Sequence, residues 1–164
     1  MKPFRKTVRC AFASPWGPMT VVAHDEALVW VGFDGQKHAF DFHQLPELPD
    51  HPILRLACDE LRQYFAGERS QFDVSLDLSS GTAFQQSVWT ALLDIAPGAT
   101  TSYGAISQSI GKPSAVRAVG GAIGRNPISI IVPCHRVVGS KGAMTGYAGG
   151  LPRKIALLQL ESRL

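Results

Sequence analysis

Along the first third of the chain, apolar and polar residues alternate in three short runs. Residues 7–13 (Thr-Val-Arg-Cys-Ala-Phe-Ala), 19–24 (Met-Thr-Val-Val-Ala-His) and 28–33 (Leu-Val-Trp-Val-Gly-Phe) follow the two-residue period of half-buried strands. Ser14-Pro15-Trp16-Gly17-Pro18 and His24-Asp25-Glu26 separate them as turns, which predicts an antiparallel meander. Residues 34–51 are polar, rich in His and Pro and without a period, and read as a connecting loop. Pro52 then suits a first helical position, and Ile53, Leu56, Ala57, Leu61, Tyr64 and Phe65 recur at helical spacing up to Gly67. Phe72, Val74, Leu76 and Leu78 alternate with polar residues once more, predicting a short strand.

From residue 82 the period changes. Thr82-Ala83-Phe84-Gln85 has the form of a capping box, in which a hydroxyl and an amide satisfy free helix-end donors. Phe84, Val88, Trp89, Leu92 and Leu93 give that helix its apolar face, and Pro97-Gly98 ends it. A second helix over residues 102–110, a stop at Gly111 and a third over residues 114–124 make a helix-turn-helix pattern. The third carries Gly120 and Gly121, each costing about 1 kcal/mol relative to Ala. Close approach of another helix, or of a nucleic-acid backbone, would offset that. Ile130-Ile131-Val132 reads as a short buried strand, stopped by Pro133, which has no N–H to donate. Residues 139–150 form a Gly-rich loop, and Pro152 opens a last helix through Ile155, Leu158 and Glu161. The fold class is α/β (α+β). An N-terminal β-meander-plus-helix domain (residues 1–80) precedes a mostly helical, winged helix-turn-helix-like domain (residues 81–164), with the boundary at Ser79-Ser80-Gly81.

Charge sharpens that division. Residues 1–80 carry eight Lys/Arg, Lys2 and Arg5 among them, against eleven Asp/Glu; residues 81–164 carry eight against two, Asp94 and Glu161. A basic half of this kind attracts polyanions, nucleic acid foremost. The three cysteines (Cys10, Cys58, Cys134) include no CxxC pair, which argues against a disulfide framework or zinc ribbon and fits a reducing compartment. Cys10 and Cys58 fall on apolar faces and read as ordinary buried cysteines. No apolar run approaches the ~20 residues of a membrane span, and no secretion signal is evident, so a cytoplasmic protein without membrane contact is expected.

Cys134 is the candidate nucleophile. A free thiol titrates near ~8.5, so it needs a base to be reactive at neutral pH. His135 is adjacent, but successive residues in extended backbone point to opposite sides, so pairing requires a bend or a bridging water. Such an imidazole is commonly oriented by a carboxylate, and Glu161 and Asp94 are the two available in this half. Tyr103 opens a helix of the helix-turn-helix, and Arg117 sits among small residues on the next, where an Arg can replace a displaced base in a stack.

Pro133-Cys134-His135-Arg136-Val137, together with Asn126-Pro127, Arg117-Ala118-Val119-Gly120-Gly121-Ala122, Gly146-Tyr147-Ala148-Gly149-Gly150, Lys154 and Leu157-Leu158-x-x-Glu161, resembles the O6-alkylguanine-DNA alkyltransferases. The resemblance runs from Phe84 to Glu161 and extends weakly over residues 8–80. It implies single-turnover transfer of an alkyl group, mainly methyl, from O6 of guanine in double-stranded DNA to Cys134, with O4-alkylthymine a further substrate. It implies that His135 deprotonates the thiol through a water, Glu161 orients the imidazole, and Tyr103 donates to N3 of the departing guanine. Arg117 would fill the gap in the duplex, while Ala115, Ala118, Gly120, Gly121 and Ala122 would permit close approach to the minor groove. Asn126 would brace the turn before the site. The carbonyls of Cys134 and Val137 would accept from the guanine amino group, and amides near Tyr147, Ala148 and Gly149 would face O6. Ser129, Thr145 and Ala148 would line the pocket wall. No cofactor or metal is expected; Cys10 and His24 are too thin a basis for a zinc site. The protein is expected to act as a monomer, with cooperative binding along DNA left open, and Arg136 has no assigned role beyond tying the loop down.

Overall fold

The structure, a computed structural model, describes residues 6–164; Lys2 and Arg5 lie outside the described residues. The N-terminal meander comprises β1 (Val8–Ser14), β2 (Gly17–Ala23) and β3 (Leu28–Phe33), paired antiparallel in that order. Its inner face, with Val8, Cys10, Phe12, Met19 and Val21 all buried, packs against α1 (Pro52–Phe65). Helix α1 begins where expected because Pro52 takes a first-turn position and the His51 imidazole accepts the Ile53 N–H. It turns Leu54, Ala57, Leu61 and Tyr64 inward.

The expected strand over residues 72–78 is absent. Its pairing is confined to a bridge between Leu28 and Leu76, flanked by bonds from the Leu28 N–H to Ser75 and from the Asp77 N–H to Leu28. The reason is competition for one sheet edge. Three residues along β3, the Val31 N–H donates to the Pro127 carbonyl at 2.9 Å and the Val31 carbonyl accepts from Ser129 at 2.8 Å. The outer edge of the N-terminal sheet is thereby given to the segment that leads into Cys134.

In the second half, α2 (Ala83–Leu92) carries the complete Thr82–Gln85 capping box. Helix α3 (Tyr103–Ser109) is capped by the Ser102 hydroxyl, which accepts the Ala105 N–H at 3.1 Å. It packs on α4 (Val116–Gly124), and both pack on α2. Two two-residue strands not anticipated from the sequence, β4 (Thr101–Ser102) and β5 (Val137–Val138), pair in parallel, and α5 (Leu151–Glu161) closes the chain.

Residues 130–132 are buried, as the apolar run requires, but they are not a strand. The Ile131 N–H returns to Ser129 (2.8 Å), that of Val132 to Ile128 (3.0 Å) and that of Cys134 to Val132 (2.8 Å), while Ile130 takes φ +73°. An apolar run reports burial, and a buried chain of tight turns satisfies it as well as a strand does. No helix among the described residues is long and apolar enough to cross a membrane.

Candidate active site

Cys134, His135 and Arg136 occupy a single 3-10 turn rather than an extended end. At about three residues per turn, successive side chains there splay in three directions. Cys134 faces a pocket of about 190 Å³, while His135 and Arg136 both reach Glu161 on α5.

The turn is built by Asn126. Its amide nitrogen donates to the Val132 carbonyl at 2.8 Å and its oxygen accepts from the Ile128 N–H at 3.0 Å, fastening both ends of the buried loop to one side chain. The same carboxamide faces the Cys134 thiol. Asn126→Ala leaves two buried backbone groups unpaired, at about 1–3 kcal/mol each. Urea denaturation is expected to show a loss of that order.

Glu161, 2% exposed, collects four hydrogen bonds. His135 Nε2 lies 2.8 Å from Oε1; Arg136 donates through Nε to Oε1 (2.9 Å) and Nη2 to Oε2 (2.6 Å); the Tyr64 hydroxyl of α1 donates to Oε2 at 3.0 Å. Burial by itself would raise this carboxyl, but the bonds from Arg136 and His135 outweigh it and bring it down to about 2. Arg136 also donates to the Ile95 carbonyl, so the arginine left without a mechanism holds the carboxylate in place.

A carboxylate only accepts, so Nε2 of the neutral ring carries the proton and Nδ1 the lone pair. Nδ1 is buried with no protein partner among the described residues, which is the condition of an unspent base. Burial holds the His135 pKa below its usual value, opposed by Glu161, and raises that of Cys134, opposed by Asn126 and Lys154. The resting pair is thus a neutral imidazole and a protonated thiol: a proton must move before the sulfur can attack.

Tyr103, Gly120, Ile123 and Gly124 line one side of the pocket, and Gly146, Tyr147 and Ala148 another. The Tyr103 hydroxyl lies 3.2 Å from that of Thr145. Buried Lys154 donates to the carbonyls of Val137 (2.7 Å), Thr145 (2.6 Å) and Gly146 (3.3 Å), pinning the Gly-rich loop over the site. The Val137 carbonyl therefore already holds one strong donor. Gly149 is required to be glycine, since a Cβ would stand 2.8 Å from the Tyr147 ring and 3.0 Å from Phe33 of β3.

On α4, Arg117, Ala118 and Gly121 are exposed and Ala115 and Gly120 half-buried. A Cβ at Gly121 would meet nothing within 4 Å, so close packing by another part of the chain does not account for that glycine. Ala122 departs from expectation. It is 3% exposed and its carbonyl accepts the Trp89 indole at 2.8 Å, because it follows Val119 by three residues and shares the core face.

Two pocket residues escaped the sequence. Lys37 and His38, in the loop after β3, line the mouth, and the Lys37 N–H donates to the Ala148 carbonyl at 3.1 Å. Nothing periodic marks that loop; the one local sign is the positive φ of His38, +60°, which is visible only in the fold.

Two family profiles match the chain: "6-O-methylguanine DNA methyltransferase, ribonuclease-like domain" over residues 8–78, and "6-O-methylguanine DNA methyltransferase, DNA binding domain" over residues 83–163. A methylated-DNA–protein-cysteine methyltransferase of Mycobacterium tuberculosis is 51% identical over 148 residues, 90% of this chain and 88% of the relative. One from Methanosarcina acetivorans is 48% identical over 155 residues, 92% and 95% of the respective chains. Among solved structures, the Mycobacterium tuberculosis protein in complex with DNA superposes with a TM-score of 0.86 at 48% identity, covering 95% of this chain and 92% of that one.

Proposed function

Because the chain belongs to the 6-O-methylguanine DNA methyltransferase family, we propose that Cys134 is the cysteine on which its reaction ends and that His135, Glu161 and Tyr103 serve it. The protein is a methylated-DNA–protein-cysteine methyltransferase whose partner is DNA; it repairs by direct reversal, moving an alkyl group onto one of its own cysteines. The observation that carries the assignment is the buried, unpartnered Nδ1 of His135, whose ring Glu161 locks, in the residue next to a cysteine that lines the pocket.

In the proposed mechanism a water relays the Cys134 proton to Nδ1, and Glu161 stabilises the imidazolium that results. The thiolate attacks the carbon bonded to O6; the S–C bond forms as the C–O bond breaks, and the electron pair passes into the purine. Tyr103, at the pocket wall, donates toward N3 so that guanine leaves neutral. The thioether has no hydrolytic route back, so each molecule acts once. The Tyr147–Gly149 amides and the Val137 carbonyl read the guanine edge. Residues 81–164 form the unit that binds DNA and transfers, residues 1–80 the unit that buttresses it, and the cytoplasm is the assigned compartment.

Arg117 is exposed on α4, on the same helix as the pocket residues Gly120 and Ile123. It fills the space a flipped nucleotide leaves. Flipping costs a few kcal/mol, so Arg117→Ala is expected to slow transfer from duplex DNA by on the order of 10- to 100-fold. Transfer from the free base O6-methylguanine, which needs no flipping, is expected to stay unchanged. Equal losses on both substrates would place Arg117 elsewhere in the mechanism.

The reading as a whole is tested by exposing the protein to duplex DNA holding one O6-methylguanine. Its intact mass should rise by one methylene, with unmodified guanine left in the DNA. Tight binding without the mass gain would mean a lesion sensor instead.

A further inference from the structure

Away from the transfer site, the fold brings together two cysteines that are 48 residues apart in sequence. The Sγ atoms of Cys10 on β1 and Cys58 on α1 lie 3.5 Å apart. Cys10 is 4% exposed and Cys58 half-buried. Both line a surface groove of about 410 Å³ whose walls include Arg55, Asp59 and Arg62. The pair is thus in contact and reachable by a small molecule. We infer that Cys10 and Cys58 form a reversible thiol–disulfide site, in which Cys58 attacks a low-molecular-weight disulfide and Cys10 resolves the product. This site stands independently of the alkyl-transfer assignment.

The asymmetry of the pair sets the order of events. The hydrogen bond between the two sulfurs, helped by Arg62 one helical turn on, lowers the Cys58 pKa against the opposing effect of burial. The same bond, followed by burial, raises that of Cys10. Cys58 is also the more exposed of the two, and the thiolate is the form that attacks. In the first step the Cys58 sulfur bonds to one sulfur of the reagent, its S–S bond breaks and a small thiolate leaves. In the second, Cys10 gives up its proton and attacks Cys58 in the mixed disulfide, and the second small thiolate departs. Two protein thiols are oxidised, the reagent disulfide is reduced to two thiols, and the two cysteine protons end on them. Cys134 is spared, because among the described residues no second thiol lies against it to resolve a mixed disulfide. The link would tie β1 to α1, the helix that presents Tyr64 to Glu161.

The test treats the folded full-length protein with oxidised glutathione, blocks remaining thiols and maps the peptides. The expected product is lighter than the starting protein by two hydrogens, with Cys10 and Cys58 linked and Cys134 free. Methyl transfer is retained, and Tm rises because a 48-residue loop is closed in the unfolded chain. Glutathione remaining on Cys58, Cys134 reacting first, or no thiol reacting would each overturn the proposal. In Cys58→Ser, Cys10 should be inert; oxidation of Cys10 there at the wild-type rate would overturn the assigned roles.

Discussion

Replacing Glu161 with alanine should abolish alkyl transfer and lower stability by about 3–5 kcal/mol, the range for removing one partner of a buried ion pair. The carboxylate is fully enclosed and takes four donors, two of them from Arg136, a residue itself 5% exposed. Without Glu161 that charge stays buried and unpaired, Tyr64 loses its acceptor, and His135 is free to turn or exchange tautomers. Glu161→Gln keeps the shape, so it separates the two effects: a smaller stability loss with transfer still strongly impaired. The pH dependence follows with a definite sign. A carboxyl held near 2 in the fold and ~4.3 in the unfolded chain adds stability that is full above the unfolded value and fades as pH falls toward about 2. His135, held below its ordinary ~6.5 by burial, also makes the fold lose stability on acidification, beginning below that value. Acid titrations of wild type and Glu161→Gln, followed by far-ultraviolet circular dichroism, should differ in the carboxylate window, with the variant losing its share of the slope.

Cys134→Ala should transfer nothing while still binding alkylated duplex. The side chain is small and its neighbours are fastened independently, Asn126 to the backbone at Ile128 and Val132 and Lys154 to the loop carbonyls. The stability change should therefore stay within about 1–2 kcal/mol, the low end for emptying a buried site. Gel-shift affinity for a lesion-bearing duplex is expected to match wild type within a few-fold, since the helix-turn-helix and Arg117 are untouched. Residual transfer in this variant would mean a second acceptor, with Cys10 and Cys58 the other thiols in the sequence. Affinity in both proteins should fall steeply with salt, as phosphate contacts require.

How legible the molecule was in its sequence varied with what kept each part in place. The meander, α1 and the Thr82–Gln85 cap could be read directly because they rest on local rules of period two, period 3.6 and reciprocal capping. The segment over residues 128–133 could not. Its conformation depends on one bracing side chain, Asn126, and on the edge of β3, neither of which leaves a periodic trace. The same holds for residues 72–78, whose pairing stops where Pro127–Ser129 take over the edge. At the site, Cys134, His135 and Glu161 stood out because their chemistry is unusual for their surroundings. Arg136 stood out equally but gained a role only once its partner on α5 was fixed in space. Lys37 and His38 were invisible, since their loop acquires meaning only where Ala148 receives its N–H. Ala122 was misplaced for a simpler reason: on a helix of small residues, composition does not reveal which face meets the core.

The most direct test of the central assignment is the location and number of the transferred groups. Duplex DNA with radiolabelled O6-methylguanine, incubated in excess with the protein and followed by proteolysis at Arg125 and Arg136, should place the label on the peptide that contains Cys134, at one methyl per protein molecule. Label on a peptide containing Cys10 or Cys58, or more than one methyl removed from DNA per molecule, would contradict it.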